Sequence, residues 1–207
     1  MSIVLYHHPF SRAAGTLWQL EEAGCAYTLH FVDLMKGEQK SPDFRAKNPM
    51  GKLPLLIDGD AVVTENAAIG LYLADRYAPG RLAPALDDPR RGAYLRWSLF
   101  APSVIEPGAM AQLSGWAGKP SQVGWGTYAE MLDTIESAIG AGPFLLGEQF
   151  TMADVIFGGT LRYMLTFKMI EPRPSFAAYA SRLAERPALK RAEAKNHALA
   201  AEHGLGT

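Results

Sequence analysis

The sequence predicts an α/β domain followed by an all-helical one, and three observations carry that prediction. Strand patterns alternate with helical spacing only as far as Tyr77. The stretch Ala78-Pro-Gly-Arg-Leu-Ala-Pro then interrupts both patterns and reads as a linker. Beyond it the apolar spacing is helical to the end, with no return of strand alternation. The expected domains are residues 1–80 and 86–207. A chain of 207 residues that is 48% hydrophobic and 20% charged is large enough to bury a sizeable core in one or two domains.

In order, Ile3 to Tyr6 reads as a buried strand that Pro9 stops. Ser11 is placed as an N-cap, because Ala13, Leu17, Leu20 and Gly24 recur at helical spacing after it. Tyr27 to Val32 gives a second strand, parallel to the first through the helix between them. Ser41-Pro42 starts a short helix and Asn48-Pro49 stops it. Leu55 to Ile57 is a strand, Asp58-Gly59 a type I′ turn and Ala61 to Val63 the returning strand. Ile69, Tyr72, Leu73 and Tyr77 then mark one face of a helix. The order β-α-β, short helix, β-β-α is that of a thioredoxin-like domain.

In the second part, Asp88-Pro89 reads as an N-cap with proline at the first helical position. Pro102 and Pro107 are expected to kink or end the helix that begins near Arg90, and the Gly-rich stretch from Ser114 to Trp125 is a loop. Tyr128, Met131, Leu132, Ile135 and Ile139 mark one helix face, and Phe176, Tyr179, Ala180 and Leu183 another. Between them, Thr151 and Asp154 form a capping box, with Phe150 and Val155 spaced for a hydrophobic staple. Ala192 to Ala201 is a final helix.

Several function classes are excluded by composition. Twenty Lys and Arg against twenty-one Asp and Glu, without a long basic run, argue against a nucleic-acid partner. No extended apolar stretch or basic leader supports a membrane span or secretion, and the single Cys25 fits a reducing cytoplasm. His7 and His8 are neighbours that default to surface positions, and His30, His197 and His203 lack metal-ligand spacing, so no metal is expected.

The chemistry concentrates where the hairpin turns into helix at Glu65-Asn66. A helix's first turn leaves backbone N–H groups without partners and carries the positive end of the dipole, so it suits a ligand carboxylate. Glu65 beside it suits an ammonium, and the two charges on one carbon are the end of an α-amino acid. A cis proline at Leu53-Pro54 would turn the flanking backbone outward to pair with an extended peptide.

Lys52-Leu-Pro followed by Thr64-Glu-Asn-Ala-Ala-Ile resembles the glutathione-binding half of the cytosolic glutathione S-transferase family. Leu5-Tyr-His-His-Pro-Phe-Ser-Arg and Leu20-Glu-Glu-Ala-Gly-Cys-Ala-Tyr extend the likeness to the family's first strand and helix, and the Thr151 capping box to its α domain. The resemblance implies glutathione as co-substrate, held by Gln39, Lys52, Leu53, Pro54, Glu65 and Asn66, with Asn66 standing where Ser is commoner. It also implies a homodimer.

Glutathione's thiol resembles a free cysteine of pKa about 8.5, so lowering it to roughly 6.5 needs about 2.7 kcal/mol. One hydroxyl hydrogen bond to the thiolate supplies about 1.5–3 kcal/mol and a helix N-terminus roughly 0.3–1 more. Ser11 falls where the family's serine-using classes, such as theta, place the activating hydroxyl, and is preferred. Tyr6, where the tyrosine-using classes place a phenol, and Arg12 as a cation are the alternatives. Phe10, Phe100 and Val104 are expected to border an apolar pocket for a small electrophile. The expected reaction is attack of the activated thiol on that electrophile. Peroxidase, isomerase, lyase or dehalogenase chemistry with the same thiol, and a non-catalytic carrier or assembly role, are the alternatives.

Overall fold

In the computed structural model, which describes residues 3–116, 118–140 and 142–206, the alternation Ile3, Leu5, His7 becomes the buried face of β1 (Ile3–His7). Helix α1 (Ala13–Ala23) follows, burying Ala13, Leu17 and Leu20 and ending at Gly24 in the left-handed region (φ 71°), as its spacing predicts. β2 (Tyr27–Phe31) pairs parallel to β1 with His7 opposite Phe31. A 3-10 turn, Glu38–Lys40, leads into α2 (Pro42–Arg45), whose N-cap Ser41 accepts from the Phe44 amide. β3 (Leu55–Asp58) and β4 (Ala61–Thr64) form the hairpin, and the sheet order is β2-β1-β3-β4 with β3 antiparallel to both neighbours. Helix α3 (Asn66–Tyr77) completes the expected order, with Ile69 and Leu73 buried.

Three local expectations shift. Asp58 pairs with Ala61, so the hairpin's central residues are Gly59 and Asp60. Of these only Gly59 has positive φ (61°), which makes the turn type II′ rather than I′. At α1 the N-cap is Arg12, one residue beyond Ser11, whose hydroxyl nonetheless accepts from the Ala13 amide at 3.1 Å. Asp88 starts its turn three residues before α4 (Arg91–Phe100), taking the Arg90 amide at 2.8 Å.

Contacts divide the chain into two units, Met1–Ala78 with Arg186–Thr207, and Pro79–Glu185. In the second unit, α4 runs through a π-helical turn (Ala101–Ile105) into α5 (Glu106–Leu113), so Pro102 is absorbed by a widened turn and Pro107 sits at the start of α5. Helix α6 (Tyr128–Gly140) buries the face its periodicity predicts, α7 (Met152–Thr166), marked in the sequence by its capping box, is buried along most of its length, and α8 (Pro174–Ala184) buries its predicted face. Asp154 is fully buried and accepts hydrogen bonds from the Thr151 amide (2.9 Å), the Leu145 amide and the Tyr179 hydroxyl (both 2.8 Å). Burial pushes its carboxyl upward, against the pull of these hydrogen bonds. Gly158 lies on α7 where α8 crosses, and a Cβ there would stand 2.1 Å from Leu183 Cδ1.

The last helix, α9 (Pro187–Glu202), packs on α1 in the first unit. Arg186 forks onto the buried Glu22 carboxylate at 2.5 and 2.8 Å, and Glu22 also accepts from Trp18 Nε1. Glu21 accepts from Lys195 (2.6 Å), Arg191 (2.7 Å) and the Tyr27 hydroxyl. No helix of the described residues is long and apolar enough to cross a membrane.

Candidate functional site

Strand register gathers four chain segments at one end of the sheet. Leu55 pairs with Thr64, so Pro54 and Glu65 are the next positions outward on the hairpin. Tyr6 pairs with Leu55, which brings the C-terminal end of β1, and with it His7 to Ser11, to the same end. The parallel β2 ends there too, with the Val32 amide on the His7 carbonyl, and leads on to Gln39. Ligands of α/β sheets bind outside the strands' carboxyl ends, and the sequence-predicted residues of this unit converge on that end.

At the hairpin, the Leu53–Pro54 bond is cis, as expected. Its approach is pinned by Asn48, which donates to the Lys52 carbonyl at 2.8 Å and accepts from the Met50 amide at 3.2 Å. Gly51 has φ 58°, and a Cβ there would lie 2.6 Å from the Gln39 carbonyl, so only glycine lets these two loops close. Gln39 and the exposed Lys52 are thereby neighbours, joined by Lys40, whose ammonium donates to the Met50 carbonyl at 3.0 Å. Gln39 Oε1 is buried with no hydrogen-bond partner among the described residues.

Glu65 has φ 68° and ψ 122°, a conformation costing an ordinary residue of order 1–3 kcal/mol. Its side chain is exposed and makes no capping bond to α3. Its carbonyl accepts from the Ile69 amide at 2.9 Å. Asn66 turns the other way. Its Oδ1 accepts from Gln19 Nε2 at 2.7 Å, and its Nδ2 reaches the Arg12 carbonyl and Thr16 Oγ1 at 3.3 Å each. The side chain is thus spent joining α3 to α1, and its backbone N–H is what remains for a ligand.

Around the first turn of α1, the Ser11 hydroxyl donates to the His8 carbonyl at 2.8 Å and accepts from the Ala13 amide. Arg12, half-buried, is the N-cap residue. Tyr6 lies on the opposite face of β1 from Ile3 and Leu5, in a cluster with Val32, Phe44, Leu55, Leu34 and Leu53. Its ring tilts against His30 (4.4 Å between centroids) and meets Phe44 edge-on (5.9 Å).

The histidine expectation is overturned. His7 is fully buried and His8 is 4% exposed. Burial holds His7 down to about 4, with the Asn196 hydrogen bond opposing, and lowers His8 against the pull of Asp33. Both rings are therefore neutral at pH 7 and lend no cation to an anion at Ser11. The signal for His7 was present in the period-two alternation from Ile3. Cys25 is half-buried, and burial raises its thiol. Of the expected apolar border, Phe10 is 59% exposed in the first unit. In the second, Phe100 packs within an aromatic group with Trp97 and Phe157, and Val104 is half-buried in the π-helical turn. No group of three His, Cys, Asp or Glu among the described residues is arranged to hold a metal.

Residues 1–75 match the family described as glutathione S-transferase, N-terminal domain, and residues 101–191 the glutathione S-transferase C-terminal domain. The chain is 31% identical over 192 residues to glutathione S-transferase 3 of Zea mays, covering 83% of this chain and 84% of that protein. Its fold superposes on the glutathione transferase URE2P8 of Phanerochaete chrysosporium, solved with oxidized glutathione, with a TM-score of 0.77, 26% identity and 97% of each chain covered. A glutathione transferase homologue from Sulfitobacter with bound glutathione superposes with a TM-score of 0.74 at 26% identity, over 94% of this chain and 98% of that one.

Proposed function

Because this chain belongs to the glutathione S-transferase family and is an enzyme of that kind, we propose that it holds glutathione across the gathered end of the sheet and activates its thiol through Ser11. The γ-glutamyl carboxylate sits on the first-turn amides of α3, beginning at Asn66, and the ammonium on Glu65. The cysteinyl unit pairs with the Leu53 backbone beside Pro54, and the glycine end reaches Gln39 and Lys52. Glu65 is the observation that carries the reading. A carboxylate that is exposed, held in a strained conformation and not spent on capping its own helix is the mark of a ligand contact.

For the thiol, the Ser11 proton swings from the His8 carbonyl to the thiolate, trading a neutral hydrogen bond for a charge-assisted one. The positive end of α1 adds to this, while Arg12 and Tyr6 are the other candidates for the role. The thiolate then attacks a small apolar electrophile, for which the exposed Phe10, next to Ser11, offers apolar surface, with Phe100 and Val104 as further candidates. The sulfur's electron pair forms the new carbon–sulfur bond; in a substitution the leaving group departs with its bonding pair, and in an addition the displaced π pair stays on the electrophile and takes a proton from water. The working state is a cytoplasmic homodimer that uses no metal.

The test is glutathione-dependent turnover of a panel containing an activated aryl chloride, an enone, an organic hydroperoxide and a haloalkane. Thioether formation from at least one of the carbon electrophiles, lost in Ser11→Ala, is the expected result. Turnover confined to the hydroperoxide would replace transferase by peroxidase. Glutathione binding without any turnover would make the protein a carrier.

A further inference from the structure

Resting on that reading of Ser11, we propose that Asn196, on α9, is a positioning residue that clamps the turn carrying the thiol-activating hydroxyl. Its Nδ2 donates to the Pro9 carbonyl at 3.1 Å, and its Oδ1 lies 2.8 Å from His7 Nε2. A carbonyl can only accept, so the bond to Pro9 fixes which way the amide faces. Oδ1 must then accept from His7, which puts the proton of the neutral imidazole on Nε2. One amide thus holds the chain at two points, one on either side of His8.

What lies between those points is the peptide that orients Ser11. The His8 carbonyl accepts both the Ser11 amide (3.1 Å) and the Ser11 hydroxyl (2.8 Å). The hydroxyl leaves that carbonyl when it turns to the thiolate, but the amide bond stays, so any rotation of that peptide moves the Ser11 backbone that carries the hydroxyl. Pro9 has no N–H, so its carbonyl is its sole polar backbone handle, and Asn196 occupies it. The clamp also comes from a fixed platform. α9 is tied to α1 by Arg186 on Glu22 and by Arg191 and Lys195 on Glu21, within the same unit. His7 and Asn196 are 189 residues apart in sequence, so the catalytic turn depends on the far end of the chain.

The experiment titrates the thiol of bound glutathione by its thiolate absorbance near ~240 nm in wild type, Ser11→Ala, Asn196→Ala and Asn196→Asp, with glutathione affinity by calorimetry and thermal melting alongside. Asp is nearly isosteric and still accepts from His7, but it cannot donate to Pro9, so it keeps the helix docked while opening one side of the clamp. The expected result is that both Asn196 variants lose at least half of the wild-type thiol shift while affinity changes less than about threefold, since the proposed binding contacts lie outside this turn, between Gln39 and Asn66. Should Asn196→Ala fail to fold, Asn196→Asp decides alone. A full thiol shift in the folded Asn196 variants, even with a lowered melting point, would make Asn196 merely structural and overturn the proposal while leaving Ser11 in place. A wild type that shows no shift would remove the reading of Ser11 and this proposal together.

Discussion

Replacing Glu65 by glycine separates what the residue does for the fold from what it does for a ligand. At φ 68° and ψ 122° its backbone lies outside the regions open to a residue with a Cβ, at a cost of about 1–3 kcal/mol. Glycine removes that cost but adds unfolded-state entropy worth roughly 0.5–1 kcal/mol. With no capping bond to lose, Glu65→Gly is expected to be more stable than wild type by about 0.5–2 kcal/mol. On the proposed binding mode the same change removes a charge-assisted contact to the γ-glutamyl ammonium worth about 1.5–3 kcal/mol, which is expected to weaken glutathione roughly 10–150-fold. Glu65→Ala is the control, because it loses the carboxylate but keeps the strain. Urea unfolding and glutathione calorimetry on the three proteins give both numbers. A glycine variant that binds glutathione as wild type does, or that is no more stable than the alanine variant, would refute the reasoning.

Other expectations follow from the packing and the charges. Gly158→Ala drives a methyl into the fully buried Leu183, with Tyr179 close behind it, so overpacking should destabilise by about 1–3 kcal/mol, read as a lower thermal midpoint. Burial alone would raise the Glu21 carboxyl, but its hydrogen bonds to Lys195, Tyr27 and Arg191 hold it down to about 2. A depressed carboxylate contributes stability above its unfolded value of 4.5 that is lost as pH falls toward 2. Because Lys195 and Arg191 are half exposed, that contribution is about 1–2 kcal/mol after screening. Glu21→Gln should therefore narrow the stability gap to wild type between pH 4.5 and 2, measured by denaturation across pH.

Local patterns carried most of the architecture. Period-two and helical spacing placed the four strands and α1, α3, α6 and α8, and the Thr151–Asp154 box marked the start of α7, because each is a relation between residues a few positions apart. The hairpin turn slipped by one residue, since Asp58-Gly59 and Gly59-Asp60 are both good turns and only the pairing of Asp58 with Ala61 decides. Asp58 is held in the strand by Tyr72 and Tyr77, whose hydroxyls lie 2.7 and 2.5 Å from Oδ2, a tertiary contact without a local signature. Of the candidate site, the hairpin, Leu53-Pro54 and Glu65 were legible as one continuous motif. The inward turn of Asn66, the loop closure at Gly51 and the clamp from Asn196 were not, because each depends on a partner on another element. Helical periodicity likewise does not say which core a helix joins, and α9 joined the one holding the sheet.

The most direct test is the thiol pKa of bound glutathione in wild type and Ser11→Ala. Since the Ser11 hydroxyl already donates to the His8 carbonyl, turning it to a thiolate gains the difference between a charged and a neutral hydrogen bond, about 1–1.5 kcal/mol. The positive end of α1 adds roughly 0.3–1 kcal/mol. Together these lower the thiol by about one to two units from ~8.5, less than a free hydroxyl would achieve. The account predicts a wild-type value of roughly 6.5–7.5 that rises by about one unit in Ser11→Ala with glutathione still bound. A wild-type thiol left near ~8.5, or the same lowered value in both proteins, would contradict it.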